Sequence, residues 1–173
     1  MNDTRSTGRV GFAVLTVSDT RDEASDTSGA YLAGEIEAAG HALIARQIVS
    51  DDIPAITQVL ETWLADPAIQ VIVSTGGTGL TGRDVTPEAF RPFFEKEIEG
   101  FSTVFHMVSY KSVGVSTLQS RATAGIANGT YLFALPGSNG AVRDGWVHIL
   151  RPEFDASHTP CNMVELIPRL KEV

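Results

Sequence analysis

Residues Ile69–Asp84 read IQVIVSTGGTGLTGRD. The first six, Ile69–Ser74, are a short apolar run with β-branched side chains, which predicts a strand buried on both faces. Glycines then stand at 76, 77, 79 and 82. Without Cβ atoms, the backbone N–H groups of such a loop can approach an anion closely. Beyond it, Thr86 is a favourable N-cap and Pro87 fits the first position of a helix. A strand, a glycine-rich turn and a helix in this order put the loop outside the carboxyl end of a strand, where open α/β sheets bind ligands.

The flanking sequence carries the same alternation. Upstream, Val10–Val17 (VGFAVLTV) predicts a fully buried strand, and the polar stretch Ser18–Ser28 leads into a helix over Gly29–Ala39. Leu32, Ile36 and Ala39 share one face of that helix, and Gly40 is its natural stop. Ala42–Val49 predicts a second strand. Asp51 and Asp52 precede a helix whose Ile56, Val59, Leu60, Trp63 and Leu64 recur at helical spacing, and Asp66-Pro67 ends it. Downstream of the loop the next 30 residues read as helical. Pro92 divides the first part into two short helices, and Phe101, Val104, Phe105 and Val108 mark an amphipathic one. Asn128-Gly129 is a type I′ hairpin dipeptide joining strands near Ala122–Ala127 and Thr130–Leu135. Pro136-Gly137-Ser138 then turns the chain into a last helix carrying Val142, Trp146 and Ile149. The expected fold is a single three-layer α/β domain, its sheet mostly parallel but mixed, with helices on both faces. Residues 10–173 form the domain, after a flexible N-terminus over 1–9.

With 173 residues the chain has room for a sizeable core. Thirteen Lys+Arg against 21 Asp+Glu give a net charge of −8, which argues against a nucleic-acid partner. No apolar run approaches the roughly 20 residues of a membrane span, and the polar N-terminus has no secretory signal. One cysteine, Cys161, leaves no internal disulfide and suits a reducing cytoplasm. A buried thiol is the expectation for it, and His41, His106, His148 and His158 lack metal-ligand spacing.

Gly77-x-Gly79-x-x-Gly82 formally matches the dinucleotide fingerprint, but the βαβ unit of about 30 residues that it needs does not follow. The Walker pattern fails because no Gly-Lys-Ser/Thr follows the loop. Two readings remain: a phosphate cradle, or a flexible strand-to-helix connection. The cradle has the stronger case, since four glycines in seven residues exceed what a turn needs.

STGGTGLTGRDVTPEAF resembles the MoaB/Mog molybdopterin-binding proteins of molybdenum-cofactor biosynthesis. The resemblance extends to VSDTR, DTSG, EIEGF, TLQSRATAGIANGT, LPGS, RPEF and TPCN, covering nearly the whole chain; TLQSR and TPCN lean toward the MoaB branch. It implies a three-layer α/β fold assembled as a trimer or a hexamer of two trimers. It also implies transfer of AMP from MgATP to the terminal phosphate of molybdopterin, in a molybdenum or a tungsten pathway. Asp84 matches the family's aspartate after the glycine loop, and Asp51 matches a second carboxylate of the competent branch. With phosphate oxygens, two carboxylates suit Mg²⁺, although Asp51 or Asp52 could equally cap the following helix. Thr75, Gly76, Gly77, Thr78 and Gly79 would cradle the pterin phosphate, with Ser74 as a further donor. Ser18, Asp19, Pro136, Gly137 and Ser138 would border the nucleotide. Arg83 and Arg121 are either phosphate contacts or solvated side chains.

The resemblance supports an adenylyltransferase, and beside it a non-catalytic molybdopterin carrier working with other cofactor-assembly enzymes. An unrelated nucleotide-binding regulator would bind ATP without pterin. Asp51 together with Asp84 favours the enzyme, because a carrier needs no metal-binding pair.

Overall fold

The computed structural model describes residues 8–172; of the N-terminal segment expected to be flexible, positions 1–7 lie outside the described residues. Six strands form one sheet in the order β2-β1-β3-β6-β5-β4. They are β1 (Gly11–Val17), β2 (Ala42–Val49), β3 (Val71–Thr75), β4 (Lys96–Glu97), β5 (Thr123–Ala127) and β6 (Thr130–Leu135). β2, β1, β3 and β6 run parallel, while β5 is antiparallel to both β6 and β4, so the sheet is mixed as expected.

The sheet's two faces hold separate cores. Phe12, Val14, Val71, Val73, Phe133 and Leu135 face helices α1 (Thr27–Ala38), α4 (Glu99–Val113) and α5 (Asn139–Gly145). Trp146, fully buried, sits in this core where α5 passes through a π turn over Trp146–Leu150 into α6 (Arg151–Glu153). Ala13, Leu15, Ile72, Leu132 and Ala134 face α2 (Ile53–Leu64) and α3 (Thr86–Phe90). Successive residues of each central strand face opposite cores and both sets are apolar, because helices cover both sides, which is why these strands read as unbroken apolar runs.

Several local expectations hold. Asn128 and Gly129 have φ of 49° and 76°, as a type I′ turn requires, and Gly40 ends α1 at φ 88°. α1 begins at Thr27 rather than Gly29, because the Asp26 carboxylate accepts the Gly29 N–H and caps the helix. Three expectations fail. The segment after the glycine loop is not helical throughout: β4 pairs with β5, and Phe94 lies where a Gly125 Cβ would come within 2.3 Å of its ring. Because β4 is antiparallel to its neighbour, the dinucleotide βαβ unit is still absent. Cys161 is exposed, lying in a C-terminal loop whose residues from Asp155 to Cys161 are all exposed, so no core is there to bury it. Thr86 is the first residue of α3 and not its cap.

Candidate functional site

β1 connects outward to β2, and the chain then crosses over β1 to reach β3, so the winding reverses between β1 and β3. Ligands of open α/β sheets sit beyond the strand ends at such a reversal. The loops here are knitted together: Ser18 N–H donates to Val49 O, and Gly76 N–H donates to Leu135 O. A cavity of about 680 Å³ opens above them, a size suited to a small-molecule ligand. Its wall includes Ser18, Gly76–Gly79, Asp51, Asp84 and Pro136–Ser138.

The glycine loop has its shape for specific steric reasons. Gly76 and Gly77 adopt φ of 104° and 65°, conformations disfavoured for other residues. A Cβ on Gly76 would sit 2.1 Å from Val17 O, and one on Gly77 would sit 2.3 Å from Thr86 Oγ1. Instead of capping α3, the Thr86 hydroxyl donates 2.9 Å to Gly76 O, inside the protein. Arg121 clamps the other end: Nε donates to Gly79 O and Nη2 to Asp84 O, and the guanidinium pairs with Glu88. Arg121 is therefore neither a solvated side chain nor a free phosphate contact.

Asp51 and Asp84 flank this loop. A Cβ on Gly77 would lie 3.1 Å from Asp51 Oδ1, and one on Gly79 would lie 2.7 Å from Asp84 Oδ2. Burial pushes the Asp51 carboxyl up, reinforced by the negative charges of Asp19 and, less strongly, Asp84. Burial also acts to raise Asp84, but hydrogen bonds from the Thr81 hydroxyl and the Thr81 and Gly79 N–H groups outweigh it and hold that carboxyl below its ordinary value. Asp51 does not cap α2, and Asp52, at the cap position, makes no capping hydrogen bond. Asp52 is engaged by Ser50 Oγ and Arg83.

Asp19 is exposed and is not part of the cavity wall; it accepts the Asp51 N–H at 3.0 Å and pairs with Arg83 at 2.9 Å. Arg83 thus spans the loops after β1, β2 and β3. Thr75 and Ser74 are fully buried and do not reach the cavity. Thr75 Oγ1 is hydrogen-bonded to Ser28 Oγ and donates to Pro136 O, fixing the Pro136-Gly137-Ser138 turn. Ser138 Oγ accepts the Ala141 N–H and caps α5.

The opposite wall is one that sequence reasoning missed. Ser109, Ser112 and Ser116, with Thr117 and Gln119, come from α4 and the 3₁₀ turn Gly114–Gln119 that follows it. The signal was present: the buried stripe Phe101–Phe105 continues at helical spacing into Ser109 and Ser112, where apolar side chains give way to hydroxyls. Arg21, Arg143 and Asp144 also line the cavity unforeseen.

A glycine-rich loop and two carboxylates, Asp51 and Asp84, lining one cavity at the winding reversal define the place where open α/β sheets hold small-molecule ligands. The chain belongs to the molybdopterin-binding-domain family: the family model described as "Probable molybdopterin binding domain" matches residues 13–156. Molybdenum cofactor biosynthesis protein B of Escherichia coli (strain K12) is 49% identical over 151 residues, covering 87% of this chain and 89% of that protein. A crystal structure of a molybdenum cofactor biosynthesis protein B superimposes with a TM-score of 0.85 at 36% identity, over 94% of this chain and 96% of that one. The tungsten cofactor synthesizing protein MoaB from Pyrococcus furiosus gives 0.69 at 37% identity, over 82% and 91% of the two chains. These agree with the three-layer MoaB/Mog fold expected from the motifs. Among the described residues no helix is long and apolar enough to cross a membrane.

Proposed function

We propose that this protein acts in molybdenum- or tungsten-cofactor biosynthesis as a molybdopterin adenylyltransferase. A terminal phosphate oxygen of molybdopterin attacks the α-phosphorus of ATP, and the bond from that phosphorus to the pyrophosphate oxygen breaks. The nucleophile is already anionic near neutral pH, so no strong base is needed. What the reaction needs is alignment of two polyanions and neutralisation of charge on the leaving group. The observation that carries this reading is the convergence of Asp51 and Asp84 on either side of the glycine cradle at one cavity wall.

Gly76, Gly77, Thr78 and Gly79 receive the pterin phosphate, while Ser18 and Pro136–Ser138 border the nucleotide. Asp19 orients Asp51 through its backbone N–H. Thr75 supports the Pro136 turn from behind rather than touching ligand. An all-oxygen donor set of two carboxylates fits Mg²⁺, and Asp51's upward-shifted carboxyl is one that a cation would relieve. Asp51 and Asp84 would hold the ion, and it would supply charge neutralisation at the phosphates.

A second reading, a molybdopterin carrier serving other cofactor-assembly enzymes, draws on one observation. Asp84 Oδ2 already accepts both the N–H and the hydroxyl of Thr81, and among the described residues no group of three His, Cys, Asp or Glu could hold a metal. Incubation with molybdopterin, Mg²⁺ and ATP labelled at the α-phosphate separates the two: label on the pterin is expected, and its absence favours the carrier.

The protein is cytoplasmic and assembles as a trimer or hexamer in this reading. Met107, Tyr110, Val115 and Leu118 are 58–76% exposed along α4 and its 3₁₀ turn, apolar surface that a subunit contact would cover. Light scattering that returned a particle of 18.5 kDa would overturn the assembly.

A further inference from the structure

Two arginines share one buried carboxylate beside the cavity. Asp26 is wholly buried; its side chain accepts from Thr16 Oγ1 at 2.8 Å, Gly29 N–H at 3.0 Å and Arg46 Nη2 at 2.8 Å. Arg21 lies 3.8 Å from the same carboxylate, with its side chain 29% exposed. Among the described residues neither arginine pairs with any other acid, so the cluster of Arg21, Arg46 and Asp26 carries a net positive charge. Arg46 takes the close contact with Asp26, which leaves the charge on Arg21, at the cavity wall.

Arg21 is also held in place. Nη1 donates to Ser28 Oγ in the first turn of α1, and Nη2 donates to Gly137 O at 3.0 Å. A guanidinium has five N–H groups, so three remain uncommitted. The other arginines beside the glycine loop are taken: Arg83 by Asp19 and Asp52, and Arg121 by Glu88 and two loop carbonyls. Arg143, which also lines the cavity, lies over the Tyr31 ring at 5.8 Å.

We propose that Arg21 is a phosphate-binding residue, taking the pyrophosphate end of the nucleotide between α1 and the Pro136-Gly137-Ser138 turn. This rests on reading the cavity as a phosphoryl-transfer site. The planar fork matches phosphate oxygens, and its prior fixation by Ser28 and Gly137 O reduces the freedom lost on binding. Asp26 acts through Arg21 as a positioning residue and never touches ligand. The arrangement also resolves how a chain of net charge −8 accepts a polyanion beside two aspartates: the positive field is local.

The test is calorimetric titration of inorganic pyrophosphate into the purified full chain, with and without Mg²⁺. Arg21→Gln, which keeps a donor for Gly137 O and removes the charge, should weaken binding at least tenfold. Arg21→Ala should lose more, with partial recovery on adding ethylguanidinium, a rescue that a purely structural arginine would not give. Equal pyrophosphate affinity in wild type and folded Arg21→Gln overturns the proposal, as does a wild type that binds no pyrophosphate at millimolar concentration. If Arg21→Ala does not fold, Arg21→Gln alone decides. Pyrophosphate binding that depends on Arg21 in a protein unable to transfer AMP would sink the adenylyltransferase reading and leave Arg21 a phosphate-binding residue of the cavity.

Discussion

Gly77→Ala adds one methyl group at the centre of the glycine loop. Gly77 sits at φ 65°, and the new Cβ would come within 2.3 Å of Thr86 Oγ1 and 3.1 Å of Asp51 Oδ1. Holding alanine in the left-handed region costs about 1–2 kcal/mol. Displacing Thr86 breaks its buried hydrogen bond to Gly76 O, adding about 0.5–1.5 kcal/mol. The sum of about 1.5–3.5 kcal/mol corresponds to a Tm lower by roughly 3–14 °C in a chain of this size. Function should suffer as well. If the loop moves to relieve the contact, even one lost N–H contact to a charged phosphate costs about 1.5–3 kcal/mol, roughly a 10- to 150-fold weaker molybdopterin complex. Gly82→Ala is the control, since it lies in the same loop with nothing within 4 Å of its added Cβ. Thermal melts and anaerobic fluorescence titration with molybdopterin measure both effects. A Gly77→Ala protein matching Gly82→Ala in Tm and affinity would refute the steric argument. A lower Tm with unchanged affinity would show strain in the loop but remove its role as the phosphate cradle.

Asp84→Asn keeps an acceptor for Thr81 but loses the charge, so AMP transfer should fall by two or more orders of magnitude with pterin affinity intact; equal transfer rates would reduce Asp84 to a loop clasp. Asp26 is opposed by burial, but hydrogen bonds from Arg46 and Thr16 hold its carboxyl below the ordinary value of 3.8. Its contribution to stability is therefore complete above pH 3.8 and lost as pH falls through the lower folded value. Asp26→Asn should accordingly melt below wild type at pH 7, with the gap closing in strong acid; a gap independent of pH would mean that charge is not the source. Leu118→Lys, at a side chain 76% exposed, should leave the monomer's Tm unchanged and shift light scattering toward smaller particles; an unaltered assembly would exclude this face from the subunit contact.

The alternation of apolar strands and amphipathic helices, the hairpin at Asn128-Gly129 and the glycine loop were all legible in the sequence. Each rests on short-range physics: side-chain periodicity, or a backbone conformation that only certain residues adopt cheaply. The same local logic failed where a residue's partner lies far along the chain. Thr86 has the composition of a helix cap, but Gly76 O claims its hydroxyl from ten residues back. β4 is two residues long and carries no pattern of its own; it exists because β5 offers an unpaired edge and Gly125 makes room for Phe94. Arg21, Arg83 and Arg121 are indistinguishable as isolated arginines. Only the folded chain decides that Arg83 latches three loops and Arg121 clamps the glycine loop. Arg21 shares Asp26 with Arg46 and so keeps an unneutralised charge beside the cavity. The scaffold and the glycine loop were readable from the chain alone, because both are properties of neighbouring residues. Which charges cancel and which remain depends on distances across the sheet's carboxyl edge, and only tertiary structure fixes those.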